Sequence, residues 1–351
     1  MRLNSVPRMI AVCLSTLALM SIPTVAQQAA TESSGQSAGS GAPAALPHDM
    51  SSYMCSHYDG PVCDVAPAPP PDYHPLVGTW VRFSLLRNSF SVQPPSAPLY
   101  VKFNSDGYFS MMEFPANRPK VNKPLAQQTA KELLSRFENM GGAWGNYTLD
   151  GQWSYRHQLR QFNPASQPNS QLRGWSFEGN IFLMDGTGPT RSPQARFRKL
   201  PNQPLGSREL VGSWERTAIS INGSAVSQSE PEYLLLGEDG WFSQTLLPTG
   251  RKPVRGKEMN QWSTQEFVDA YQGLSASRGT YNVYGTTFIR KHIADTDPNL
   301  EGRDETGQYK LQGDTMTVQG TNAAGQKFEA TYRRLKPFDV FAPLAKKAGG
   351  E

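Results

Sequence analysis

Two short runs of this 351-residue chain place charged groups where strand alternation would gather them. Side chains on a strand alternate faces, so Ser154, Arg156 and Gln158 share one face. Phe288, Arg290 and His292 share the matching face of a second run. A guanidinium stays charged and makes forked hydrogen bonds to carboxylate or phosphate. A sheltered Arg156 or Arg290 is therefore a grip for an anion, unless it pairs with an Asp or Glu of its own chain. Acid–base chemistry has two candidate pairs, His157 with Glu113 and His292 with Asp295. Isomerases and cyclases need no more than one or two polar groups in a dry pocket. Histidines in such runs are nonetheless more often ordinary surface residues. The five histidines (His48, His57, His74, His157, His292) are scattered. The chain has no His-x-x-x-His, Cys-x-x-Cys, phosphate loop or Gly-x-Ser-x-Gly elbow. No catalytic residue, metal site or cofactor is assigned on these grounds.

Both runs sit inside a repeat. Leu76-Val77-Gly78-Thr79-Trp80 returns as Leu210-Val211-Gly212-Ser213-Trp214. Asp106-Gly107-Tyr108-Phe109-Ser110 returns as Asp239-Gly240-Trp241-Phe242-Ser243, and Gly145-Asn146-Tyr147 as Gly279-Thr280-Tyr281. Phe177-Glu178-Gly179-Asn180 matches Leu311-Gln312-Gly313-Asp314, and Ala195 to Leu200 matches Ala330 to Leu335. The period far exceeds the roughly 20–50 residues of a solenoid or propeller unit, so each copy is a whole domain. Residues 201–206 between them are short and turn-rich and read as a hinge.

Each copy reads as eight short strands with one inserted helix. The first copy places them near 77–86, 98–104, 107–114, 145–150, 152–160, 171–178, 180–185 and 194–200. The second places them near 211–220, 231–237, 240–247, 279–284, 286–294, 304–312, 314–320 and 327–335. Asp-Gly and Gly-Asp type pairs between strands supply the positive φ of tight hairpins. Such links predict an all-β chain of two up-and-down barrels. The helix follows the third strand, where Ser263-Thr264-Gln265-Glu266 is a capping box. Its counterpart runs from Ala126 to Phe137. Such a helix commonly covers one end of a barrel and could act as a lid.

The N-terminus reads as a secretory leader over 1–26, with Arg2 and Arg8 ahead of an apolar stretch and a small-residue cleavage site. A membrane anchor is the alternative; Ser15, Thr16, Ser21 and Pro23 weaken it. Residues 27–75 form a polar, then Pro-rich, segment too poor in apolar surface to fold alone. Once the leader with Cys13 is removed, Cys55 and Cys63 remain, which in an exported chain suggests a disulfide. Two thiols and His57 on a metal are the other option, although the spacing fits no zinc signature. The net charge of +4 is too small for a nucleic-acid binder.

Gly78-Thr79-Trp80 and Gly212-Ser213-Trp214, each with an Arg on the last strand, resemble the calycin signature. The order of Leu-Val-Gly-Thr-Trp, Asp-Gly-Tyr and Gly-x-Tyr, with Asn163-Pro164 and Asp297-Pro298 after the next strand, resembles the bacterial lipocalin-like domain family. The resemblance runs from Leu76 to Leu200 and from Leu210 to Leu335, which places the domains at 76–201 and 208–337 and leaves 338–351 as a tail. It implies that Trp80 and Trp214 close the barrels beneath Arg198 and Arg333. It also implies that Arg156 and Arg290 face inward, where that family often carries a His. The family's further Arg corresponds to Arg173 in the first copy, and Thr306 is set against it in the second. The ligand-binding candidates are therefore Arg156, Arg173, Arg290 and His292.

Two tandem lipocalin-like barrels are thus expected, periplasmic or extracellular. Their expected role is to bind, carry or sequester a small hydrophobic molecule, one with an anionic group included, without nucleic acid and without a transmembrane helix in the mature chain. An isomerase or cyclase acting on a lipophilic substrate in one barrel is the alternative. A third is an envelope interaction protein with filled barrels.

Overall fold

The computed structural model describes residues 74–87, 90–92, 97–151, 153–166, 169–185, 194–227 and 230–341. The chain divides into two compact units, Met1–Pro47 and His48–Glu351, and all described residues belong to the second. The expected leader, residues 27–73 of the segment after it, and with them Cys55 and Cys63, lie outside the described residues.

The first sheet comprises β1 (Gly78–Arg87), β2 (Phe90–Val92), β3 (Leu99–Phe103), β4 (Tyr108–Glu113) and β5 (Gly141–Asp150), then β6 (Trp153–Gln161), β7 (Asn169–Glu178), β8 (Ile181–Met184) and β9 (Gln194–Lys199). The second comprises β10 (Gly212–Ile221), β11 (Ser224–Ala225), β12 (Glu232–Leu236), β13 (Trp241–Leu246) and β14 (Ser275–Tyr284), then β15 (Thr287–Asp295), β16 (Asp304–Gln312), β17 (Thr315–Thr321) and β18 (Lys327–Arg334). Every pairing is antiparallel between neighbours, and β1–β9 and β10–β18 contacts close the two sheets. Apart from the short β2 and β11, each sheet is an eight-stranded up-and-down barrel. Hairpin glycines such as Gly179 (φ 57°) and Gly313 (φ 56°) take the left-handed conformation expected of tight turns.

The repeated motifs have local reasons. Gly145 and Gly279 sit at matching bulges, where a Cβ would lie 1.8 Å from the backbone oxygen of His157 or Lys291. Any side chain there would force β5 from β6, or β14 from β15. Two residues on, Tyr147 and Tyr281 point into the cores and donate to the backbone oxygens of Asn104 and Gly237, both at 2.8 Å. The barrel cores are otherwise aromatic and aliphatic, with Phe103, Phe109, Phe182 and Phe197 in the first, and Leu234, Phe242, Phe288 and Met316 in the second.

The helices α1 (Ala130–Phe137) and α2 (Thr264–Tyr271) both begin with complete capping boxes, on Thr129 and Ser263. They do not act as lids. Leu133, Phe137, Phe267 and Tyr271 join Met112, Phe114 and Phe162 in a third core between the barrels.

Contacts between the barrels come in matched sets. Ser110 Oγ donates to Ser243 Oγ at 2.6 Å, and Phe137 stacks on Tyr271 at 4.2 Å. Asp106 accepts from Ser213 backbone N and Oγ at 2.6 and 2.9 Å, while Asp239 accepts from the matching Thr79. Trp144 stacks on Tyr233 at 3.7 Å, and the Arg278 guanidinium covers Tyr100. Arg251 donates to the backbone oxygens of Gln161 (2.8 Å) and Phe162 (2.6 Å), as Arg118 does to those of Asp295 and Thr296. The segment 201–206 is no loose hinge. Gln203 N donates to Asp239 O at 2.8 Å, Trp241 Nε1 to Pro201 O at 2.9 Å, and Leu205 packs on the second core. The chain after β18 does the same to the first barrel. Phe338 N donates to Asp106 O, Tyr108 Oη to Lys336 O, and Val340 is buried in the first core.

His74 sits at this seam, 2.7 Å from Tyr147 Oη and edge-on to Phe341. Burial pulls its pKa from 6.5 to about 4. Between those values the unfolded chain takes up a proton that the folded ring refuses. The contribution to stability is therefore complete above pH 6.5 and is lost as pH falls to about 4. The urea midpoint of the wild type is expected to drop across that window, and that of His74→Phe to drop less. Parallel curves would show that His74 is not responsible.

Candidate functional site

The closed ends explain the Leu-Val-Gly-x-Trp motif. Trp80 Nε1 donates to Leu76 O at 2.8 Å and Trp214 Nε1 to Leu210 O at 2.9 Å, with all four side chains buried. The cations over these indoles are Lys199, 5.7 Å from the Trp80 ring, and Arg334, 4.1 Å from that of Trp214. They are not Arg198 and Arg333. Trp80 lies directly across from Lys199 and Trp214 from Arg334, so the preceding arginine of each pair faces outward. Arg333 instead bonds Glu215 on the surface, at 2.5 Å. Gly78 and Gly212 (φ 125° and 135°) let these cations cross, since a Cβ would meet Lys199 Cε at 2.5 Å or Arg334 Nη1 at 2.6 Å.

Arg156 and Arg290 lie directly across from the core tyrosines Tyr147 and Tyr281, so both face the barrel interiors. Both are 3% exposed. Their surroundings differ. In the second barrel, Arg290 Nε donates to Glu305 Oε1 at 3.1 Å, Nη2 contacts the same oxygen, and Nη1 contacts Gln244 Oε1. Arg216 pairs with Glu232 at 2.7 Å, and Gln244 Nε2 donates to Glu232 at 2.6 Å. Burial opposes the Arg290 charge, yet Glu305 and the groups around it lift its pKa above the usual arginine value.

In the first barrel, Gln171 takes the place of Glu305, as the pairings Arg156↔Gln171 and Arg290↔Glu305 show. Arg156 Nη2 donates to Gln171 Oε1 at 3.3 Å, and Nη1 lies 3.7 Å from Met111 Sδ. Arg173 Nη2 donates to the same Gln171 oxygen at 3.1 Å, and its Nη1 reaches the backbone oxygen of Asp185 at 3.5 Å. The Asp185 carboxylate accepts from Gln194 at 3.0 Å. The Nε atoms of Arg156 and Arg173 are buried without a hydrogen-bond partner. Burial, and then the Arg173 charge, bring Arg156 down to about 9, so it remains charged at neutral pH. Elsewhere in this barrel Glu113 is bonded to Arg82 at 2.6 Å.

Arg173 does not correspond to Thr306. It pairs with Ser154, whose equivalent Phe288 pairs with Gly307. Thr306 is exposed on the outer face, and the interior position is left without a side chain. His292 and Gln158 do correspond. His292 is buried, with Nδ1 3.2 Å from Asp295 Oδ2, Nε2 3.9 Å from Glu305 Oε2, and no hydrogen bond to Nε2. The other candidate acid–base pair does not form. His157 faces outward, its Nδ1 2.7 Å from Ser170 Oγ and its ring beside Phe338, whereas Glu113 is held inside by Arg82. The sequence reading missed Gln171, Arg82, Glu232 and Glu305, although each lies at an interior position of its alternating strand.

Fold and site together define a tandem of closed antiparallel barrels with polar groups set into apolar interiors. No family model matches the chain, and no curated protein matches it. Eleven solved chains do. A redesigned β-barrel is 14% identical over 38% of this chain and 99% of its own, with a TM-score of 0.24. A point mutant of the fluorescent protein UnaG is 14% identical over 36% of this chain and 96% of its own, at 0.20. A DUF3598-family protein of unknown function from Nostoc punctiforme is 12% identical over 74% of this chain and 96% of its own, at 0.16. Among the described residues no helix is long and apolar enough to cross a membrane.

Proposed function

We propose that this chain is an exported, lipocalin-like protein that binds, carries or sequesters a small hydrophobic molecule with an anionic head. The head lies against Arg156 and Arg173 in the first barrel. The observation that carries this reading is the difference at one strand position. Glu305 neutralises Arg290, whereas Gln171 leaves Arg156 and Arg173 with a neutral oxygen between them. A buried cation without a counter-ion is costly unless a ligand supplies one. Trp175, partly buried beside the aromatic core, offers apolar surface to the remainder of the molecule.

Gln171→Glu tests the reading by installing the missing acid. It is expected to weaken binding of a fluorescent fatty acid about tenfold or more, since the new carboxylate competes for the same donors. Arg156→Ala is expected to weaken it as well, with the circular dichroism of the barrels retained. Unchanged affinity in both variants would falsify the assignment. Arg290→Ala should affect stability and leave this affinity alone.

One observation supports a second reading, acid–base catalysis in the other barrel. His292 is oriented by Asp295, and its buried Nε2 makes no hydrogen bond, with Glu305 Oε2 3.9 Å away. Turnover of a lipophilic substrate that disappears in His292→Asn would favour an isomerase or cyclase.

A further inference from the structure

We infer that the head group taken by the first barrel carries two negative charges, as a phosphomonoester does, and not the single charge of a carboxylate. The inference rests on the binding role proposed above.

The second barrel shows how this fold balances interior guanidinium groups. Arg216 has Glu232 and Arg290 has Glu305, one carboxylate for each. Arg82 with Glu113 follows the same rule in the first barrel. Arg156 and Arg173 break it together. In sequence, residues 88–89, 93–96, 167–168 and 186–193 contain no Asp or Glu.

Geometry gathers the two charges. Both guanidinium groups donate to one oxygen, Gln171 Oε1, at 3.3 and 3.1 Å, so they converge on a single point. A neutral amide oxygen offers two lone pairs and no charge. Each arginine also keeps a buried Nε–H with no acceptor. One monoanion would neutralise one arginine and leave its neighbour uncompensated. A phosphomonoester brings a charge near −2 and three acceptor oxygens, enough to engage both forks. Gly307, at the position of Arg173, denies the second barrel the same arrangement.

The test compares decyl phosphate, decanoate and inorganic phosphate by isothermal titration on the full chain, each amphiphile below its micellar concentration. At pH 8, decyl phosphate is expected to bind about tenfold or more tighter than decanoate. That advantage should fade as pH falls through about 6, where the phosphate loses its second charge. Decanoate affinity should stay level over the same range. Arg173→Gln should bring decyl phosphate down to the level of decanoate, whereas Arg156→Gln weakens both. Equal or tighter binding of decanoate overturns the dianion and leaves the binding role standing. So does a phosphate preference that survives Arg173→Gln. If neither amphiphile binds, the binding role and the dianion fall together. If inorganic phosphate binds as tightly as decyl phosphate, the dianion stands and the hydrophobic part of the role is overturned.

Discussion

Glu305→Ala is expected to destabilise the protein by about 3–5 kcal/mol, the usual result of removing one partner of a buried ion pair. The glutamate side chain is 9% exposed and that of Arg290 is 4% exposed, so water cannot replace the lost acceptor. Two Arg290 donors lose their oxygen at once, and His292 loses a nearby carboxylate. Urea unfolding reads the loss directly as a fall in midpoint at unchanged slope. The double variant Glu305→Met, Arg290→Met should recover most of it, because the penalty belongs to the stranded charge and not to the missing pair. A loss below about 1 kcal/mol in the single variant would mean that Arg290 finds another partner or reaches solvent. The opposite change in the first barrel, Gln171→Glu, should raise stability without ligand while lowering affinity. The two positions therefore test one electrostatic rule from both sides.

Trp214→Ala is the second large effect, again about 3–5 kcal/mol. The indole is fully buried, its N–H is committed to Leu210 O at 2.9 Å, and Arg334 stacks on its face at 4.1 Å. Truncation opens a cavity at the closed end and removes the surface that the cation covers. The stacking itself accounts for roughly 0.5–2 kcal/mol, so Arg334→Ala should cost visibly less than Trp214→Ala. Arg333→Ala, which touches Glu215 at the surface, should cost less still. Thermal unfolding of the three variants gives the order. A larger loss in Arg333→Ala than in Arg334→Ala would reverse the pairing of cation and indole.

The strands and barrels were legible because their signals are local. Asp-Gly and Gly-Asp turns, alternating side chains and the capping box at Ser263 each act within a few residues, and the repeat carries the strand pattern twice. What escaped depends on register. Arg198-Lys199 and Arg333-Arg334 are both basic pairs, and a shift of one residue decides which member meets the tryptophan. That shift is set by pairing to β1 and β10, far away in sequence. Arg173 was set against Thr306 through an offset one residue shorter than the barrel's own. The shorter offset holds over 99–113 and 232–246 and is regained by β5 and β14. The inter-barrel contacts were invisible for another reason. Alternation assigns one face of a strand to a core and the other to water, while β4 and β13 bury both. The unbroken run Leu234-Leu235-Leu236 in β12 was the available sign of this, since a strand buried on both faces loses its alternation.

Ser110 meets Ser243, and Phe137 meets Tyr271, each residue touching its own counterpart in the other repeat. Residues can meet their own equivalents only on an axis of twofold symmetry, and the exchanged pairs around them, Asp106 with Ser213 and Asp239 with Thr79, are what an isologous interface requires. The arrangement is the one that two copies of a single barrel take in an isologous dimer, here within one chain joined through residues 201–206. One chain carrying both halves is not bound to keep them identical, and the two interiors differ. The shared face kept its symmetry, while the interiors parted at Gln171 and Glu305.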